Sequence, residues 1–246
     1  MTLALLYWLV PIGFAEPACA GPGRSLLDHA FFQVCYDSSL KSPVWTAYEL
    51  RPELLPASAP RRASFRRDPS LSSPAASNAD FRGAGYSRGH MIPAADFAWS
   101  GQAFQATFFL TNVVPQRQSV NSGRWRQLEL AVRRIAAGAD SAHVFTGPLF
   151  DADPIEFLSP GGVAVPTHTY KVLFVVHGNR RAMFAAIIPN AENPRQPLNS
   201  FAVTVDEVER RAGFDFFGFL EDAEEAALES DLKLFPGPDS APGLAR

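Results

Sequence analysis

Alternating apolar and polar positions mark HAFFQVCYD (29–37) and VWTAYEL (44–50) as two strands, and the short link SSLKSP between them suits a hairpin. FFLTNVV (108–114), AHVFTGPLF (142–150), YKVLFVVH (170–177) and AMFAAIIP (182–189) are further strands, rich in β-branched and aromatic residues, and are expected in the middle of a mixed sheet. The pattern changes period between Asn121 and Ala137. There Trp125, Leu128, Val132 and Ile135 form one apolar stripe that stops at Gly138, which predicts an amphipathic helix with Glu129 and Arg133 on its flank. A second helix is predicted from the capping pattern Thr204-Val205-Asp206-Glu207 and closes near Gly213. From Pro56 to Gly85 no apolar period exists, and Pro, Ser, Ala and Arg dominate, so an exposed irregular loop is expected. The tail from about 236 reads as disordered.

The chain has 246 residues, 47% of them apolar and 19% charged, enough to bury a sizeable core. An apolar run from Leu3 to Ala15, followed by Ala18-Cys19-Ala20, predicts a signal peptide over 1–20, cut after Ala20. The remainder, 21–246, is then one domain in the periplasm or outside the cell, with no stable membrane association. Such a cut removes Cys19 and leaves Cys35 without a partner, so no internal disulfide is expected and Cys35 reads as a buried small hydrophobe.

Net charge is only -3, yet it is unevenly distributed. Residues 51–134 hold twelve arginines, no lysine and five acids, whereas 191–246 hold twelve acids and five bases. That asymmetry predicts a basic face for phosphates, and forked guanidinium donors suit planar contacts with phosphate oxygens.

The stretch GYSRGHM (85–91) allows two kinds of chemistry. As G-x-S-x-G it would be a nucleophile elbow with Ser87 attacking an ester, and Asp151 or Asp153 with His168 or His177 completing a triad. An elbow requires a buried strand directly before the serine and a helix directly after it. The Pro/Ser/Arg loop precedes Ser87, and Pro93 interrupts the stretch where that helix would begin, so a serine esterase is the weaker alternative. The second reading points to His90, whose imidazole is the side chain best suited to accept a proton near neutrality. His29, His143, His168 and His177 lack comparable surroundings and read as ordinary surface or core residues.

SRGHM, then PAADF (93–97), TNVVPQ (111–116), Asn121, Trp125, Glu129 and Arg133 occur in an order that resembles the DNA/RNA non-specific endonucleases, the ββα-metal nucleases. WTAYEL, FRRDP, TGPLF and TVDEVERRAG extend the resemblance from about His29 to Leu234. It implies an α+β fold, a mixed or antiparallel central sheet flanked by helices, carrying a ββα-metal (His-Me finger) motif. It also implies Mg2+-dependent hydrolysis of DNA and RNA to 5'-phosphate ends, with Mn2+ a possible substitute. Most members have Asp where Ser87 stands, and a catalytically inactive nucleic-acid-binding protein on the same fold is the alternative this departure raises.

By the resemblance, His90 is the general base, Asn121 binds the metal directly, and Glu129 binds it through water. Arg88 contacts the phosphate, Asn112 braces the His90 segment, and Arg62 and Arg133 contact substrate. One amide ligand suffices for Mg2+, which keeps most of its waters. Asn121 also reads as the N-cap of its helix. The partners implied are DNA and RNA phosphate backbones, met with little sequence preference and with strong weakening by salt, and an inhibitor protein.

Overall fold

A computed structural model describes residues 17–55, 63–72, 74–159, 162–192 and 195–237. Strands β1 (Arg24–Asp28), β2 (Phe32–Asp37) and β3 (Ser42–Leu50) run antiparallel to one another. The chain then leaves the sheet for about ninety residues and returns as β6 (Ser141–Leu149), directly beside β3. β7 (His168–His177), β8 (Arg180–Pro189) and the short β9 (Ala202–Val203) complete the order β1-β2-β3-β6-β7-β8-β9, antiparallel at every pairing. The sheet is therefore not mixed.

Alternation along each strand feeds two cores. On β7, Leu173 and Val175 face a core shared with helix α2 (Arg126–Ala137), to which Trp125, Leu128, Val132 and Ile135 contribute the predicted stripe. Tyr170, Val172 and Phe174 face the opposite core, closed by α3 (Val205–Ala212), α4 (Asp222–Glu229), Phe216 and Phe217. α3 begins as predicted, with the Thr204 hydroxyl accepting from the Glu207 N–H at 3.3 Å. It ends at Gly213, whose φ of 72° is the left-handed conformation glycine adopts without strain.

The excursion between β3 and β6 holds β4 (Ser87–His90), the short helix α1 (Gly101–Ala106) and β5 (Val113–Gln116). β4 and β5 form a separate two-stranded antiparallel ribbon, with His90 opposite Val113 and Ser87 opposite Gln116. FFLTNVV is thus no strand of the main sheet. Leu110–Asn112 form a 3-10 turn, because the Asn112 side chain is bonded elsewhere, and only its last two valines enter the ribbon.

A second difference concerns cysteine. Cys19 and Cys35 form a disulfide with Cα atoms 5.5 Å apart, contrary to the expectation that Cys35 stands alone. Residues 17–23 run back alongside the β1–β2 hairpin, where Arg24 donates to the Ala20 carbonyl and Ser38 N–H to that of Gly23, and this lays Cys19 against β2. Residues 1–16, the bulk of the expected signal, lie outside the described residues. At the other end the chain stays pinned through Pro236, since Phe235 is buried and exchanges hydrogen bonds with the Asn199 side chain. The rest of the expected tail, 238–246, is outside the described residues.

Candidate active site

The ribbon is where the sequence-expected residues converge. On a strand, residues two apart share a face, so Arg88 and His90 project together from β4. Gly89 between them packs onto Gln116 of β5: a Cβ there would lie 2.6 Å from Gln116 Oε1, so the close pairing of the two strands requires glycine.

His90 is wedged between two phenylalanines, with ring centroids 4.9 Å from Phe65 and 5.0 Å from Phe108. Its Nε2 is shut from solvent and has no hydrogen-bond partner. Burial pushes the imidazole pKa down to about 4, so the ring is neutral at pH 7 and its free nitrogen is a proton acceptor. Its main-chain carbonyl accepts from the Trp125 indole N–H at 3.0 Å.

Asn112 is fully buried beneath this segment. Its Oδ1 accepts from Ile92 N–H at 2.9 Å, and its Nδ2 donates to the carbonyls of Ile92 (3.0 Å) and Thr107 (2.9 Å). With Met91 N–H donating to the Asn112 carbonyl, the turn after His90 is held at both ends. Asn112 supports the histidine and does not reach toward a substrate.

The Arg88 guanidinium donates to the Asn78 carbonyl at 3.1 Å and lies over Phe81 (5.2 Å) and Phe65 (5.7 Å), its Nε buried without a partner. The irregular loop is therefore clamped in its second half. Arg66 N–H donates to the Phe108 carbonyl, Leu110 N–H to that of Arg66, and buried Asp68 accepts from Thr111 Oγ1 at 2.6 Å. Those bonds carry Phe65 onto His90. Arg62 lies outside the described residues.

Asn121 does not cap a helix. It sits inside a π turn, Val120–Trp125, which kinks at Gly123 before α2 begins. Both ends of that turn are tied to β4: Gln118 Oε1 accepts from the Ser87 hydroxyl, and Trp125 holds the His90 carbonyl. Asn121 is thereby carried on a segment that spans the length of the short strand bearing His90. At the far side, Asn190 holds β5, donating to the Pro115 carbonyl and accepting from Arg117 N–H at 2.8 Å.

Glu129 and Arg133 are one turn apart on α2, but the Arg133 ion pair runs elsewhere. Its Nε donates at 2.7 Å to Asp96, whose side chain is 1% exposed. Burial raises the Glu129 carboxyl to about 7, with Asp96 adding to the rise and Lys171 and Arg133 opposing it. Lys171, read in the sequence only as part of a strand, is fully buried on the α2 face of β7. Burial brings its ammonium down to about 8. Its one sequence signal is a lysine inside the apolar run YKVLFVV. Asp96, Tyr48, Phe65 and Trp125 stand within the family motifs, but no local pattern marks them for a role at the site.

The esterase geometry is absent. Ser87 lies in a strand, not at a strand-to-helix turn, and its hydroxyl is engaged by Gln118. His168 does pair with Asp151 at 3.0 Å, but that pair is shared with Arg211 of α3.

A strand pair followed by a helix, with histidine on the first strand, asparagine at the helix approach and carboxylate within the helix, is a ββα arrangement. The family model for DNA/RNA non-specific endonucleases matches residues 12–223. The chain belongs to this family. Human mitochondrial endonuclease G is 36% identical over 198 residues, covering 75% of this chain and 67% of that one. Nuclease C1 of Cunninghamella echinulata is 34% identical over 223 residues, covering 85% and 87%. A crystal structure of an EndoG/EndoGI complex, concerned with EndoG inhibition, superposes with a TM-score of 0.74 at 30% identity over 82% of this chain and 90% of that one. The protein is accordingly a nuclease, a hydrolase of a metal-dependent family, and the fold is that of a ββα-metal endonuclease.

The comparison corrects the expected periplasmic or secreted destination. Endonuclease G of human and cattle, EXOG of zebrafish and the yeast nuclease, 30% identical over 245 residues, are all named as mitochondrial. A short apolar run ending in small residues is a compositional cue that fixes no compartment.

Proposed function

We propose that this endonuclease hydrolyses DNA and RNA phosphodiesters to 5'-phosphate ends with Mg2+, His90 acting as general base. The observation that carries this reading is the neutral, buried imidazole with an unpartnered Nε2 on the same ribbon face as Arg88. His90 takes the proton of the attacking water. Arg88 offers forked donors to the phosphoryl oxygens, and the tether at Asn78 and the flanking rings keep it aimed. Asn112 and Trp125 hold the His90 segment in register.

The donor set fits a hard cation: an amide oxygen from Asn121 and a carboxylate from Glu129, with no sulfur or imidazole ligand needed. Asn121 would hold it directly and Glu129 through water. When bound, Mg2+, or Mn2+ in its place, supplies charge relief at the departing 3' oxygen and a water to protonate it. Arg133 is engaged by Asp96, and we assign it to keeping Glu129 in place, in addition to any long-range pull on substrate. Arg62 belongs to the basic loop that meets the backbone. Contacts of this kind address phosphates, so low sequence preference and steep salt dependence follow. An inhibitor protein that covers the site is a partner class suggested by the EndoG/EndoGI likeness.

The test is digestion of plasmid and of total RNA with and without EDTA. Both substrates are expected to be cut only with metal. His90→Ala should lower kcat by about 10²–10⁴-fold, the usual worth of a positioned base. Asn121→Ala should raise the metal concentration needed for half-maximal rate. Unchanged rates in His90→Ala would overturn the assignment.

A further inference from the structure

The ribbon that bears His90 is two strands of four residues, too little to hold itself in place by its own ladder. Its position must be set from outside, and the main sheet reaches it through one buried cation. Lys171 Nζ donates at 3.3 Å to the carbonyl of Met91, the residue after His90. The same ammonium lies 5.1 Å from the ring of Trp125, whose indole N–H holds the carbonyl of His90 itself. Two consecutive carbonyls of the catalytic segment are thus held, one directly and one through an aromatic ring that the cation supports.

An ammonium excluded from water is costly unless its protons and charge are matched. Here the matching is also the linkage to α2. Lys171 Nζ donates to Tyr48 Oη at 3.2 Å and lies 5.5 Å from that ring. Tyr48, kept neutral by burial, is hydrogen-bonded in turn to Asp96, and Asp96 receives Arg133. The charged groups facing Lys171 are Glu129 and Arg133 from α2 and Asp96 from the turn at 94–97. A methionine or leucine would fill the same space and save the burial cost, so a lysine at this position calls for a purpose beyond packing.

We propose that Lys171 is a positioning residue of the nuclease: from the main sheet it fixes the His90–Met91 backbone and the Trp125 ring, and so sets the imidazole against the α2 segment bearing Asn121 and Glu129. The inference rests on His90 being the base.

Lys171→Met removes charge and donor at nearly constant volume. The expected result is a fall in kcat of about tenfold or more with KM within about threefold of the parent, since small misplacements of a catalytic group act on the chemical step. A cooperative thermal melt should persist. The emission of Trp125, isolated as the difference between parent and Trp125→Phe spectra, should shift when Lys171 is replaced. The double variant Lys171→Met/Trp125→Phe should be little slower than the worse single one, because both act on the same backbone segment. Should Lys171→Met not fold, Lys171→Gln, shorter and neutral but still polar, carries the same reading. A folded variant of either kind with kcat within about twofold of the parent, or a drop in melting temperature alone, overturns the proposal. If His90→Ala is inactive while Lys171→Met is fully active, this inference alone fails. If His90→Ala is active, the general-base reading fails with it.

Discussion

Gly89 and Gln116 face each other so closely that a methyl group on Gly89 would meet Gln116 Oε1 at 2.6 Å and its Cβ at 2.7 Å. Gln116 cannot easily yield, being fully buried with its Nε2 directed at Thr169 Oγ1. Gly89→Ala should therefore push the ribbon apart, at a cost of about 1–3 kcal/mol of stability typical of overpacking. Nuclease rate should fall more than stability suggests, because Arg88 and His90 flank the clash. Urea melts and initial rates measure the two effects. Gly89→Ala combined with Gln116→Ala should recover part of the rate, and no recovery would show that steric relief is not the issue.

Arg133 and Asp96 make a testable distinction between structural and substrate roles. Arg133→Met leaves an acid buried without its guanidinium, a change that costs about 3–5 kcal/mol when a buried pair is broken on one side. The lower part of that range is expected, since the arginine is 22% exposed. Denaturant melts should show this loss. A rise in KM with unchanged stability would instead make Arg133 a phosphate contact.

Acidification should reveal the buried histidines. His143 lies on β6 opposite Glu49 of β3, with its pKa driven down to about 4, chiefly by burial. An imidazole with a folded pKa below its unfolded value of about 6.5 binds fewer protons when folded. The native state is then penalised as pH falls through 6.5 toward 4 and is unaffected above. Buried Glu129, raised to about 7, contributes in the opposite direction, so the comparison must be between variants. The stability of His143→Leu relative to the parent should grow by up to about 3 kcal/mol between pH 7 and pH 4. A pH-independent difference would contradict the buried neutral ring.

The disulfide closes a short loop between positions 16 residues apart. In the chain-entropy account such a closure contributes about 3 kcal/mol. Cys19→Ala or reduction should lower the melting temperature accordingly, and the native protein should show no titratable thiol, consistent with the absence of free cysteine among the described residues. One reactive thiol per chain would mean that Cys19 is missing or unpaired.

Sequence patterns that act locally are legible, and those that depend on distant partners are not. The α2 stripe, the Thr204 cap and the alternation in β2, β3, β6, β7 and β8 are written in neighbouring residues, and each element forms where expected. FFLTNVV looks like a strand because its turn is enforced by Asn112 bonding to Ile92, twenty residues away. The π turn is hidden because its kink lies in the backbone of Gly123, not in a side-chain pattern. His90 is marked by its motif. Lys171 is not, since Tyr48 is 123 positions away and Met91 is 80. The pairing of Cys19 disappears once cleavage after Ala20 is assumed, and no local pattern checks that assumption.

The adjacency of β3 and β6 has a consequence for how this molecule comes into being. The strands on either side of the excursion zip directly to each other, so the scaffold can close its ladder while the ninety residues between them are still unsettled. Nascent chains would pass through a stage with an intact platform and no cutting ability. The last event, insertion of one ammonium beneath the ribbon, would then arm the enzyme.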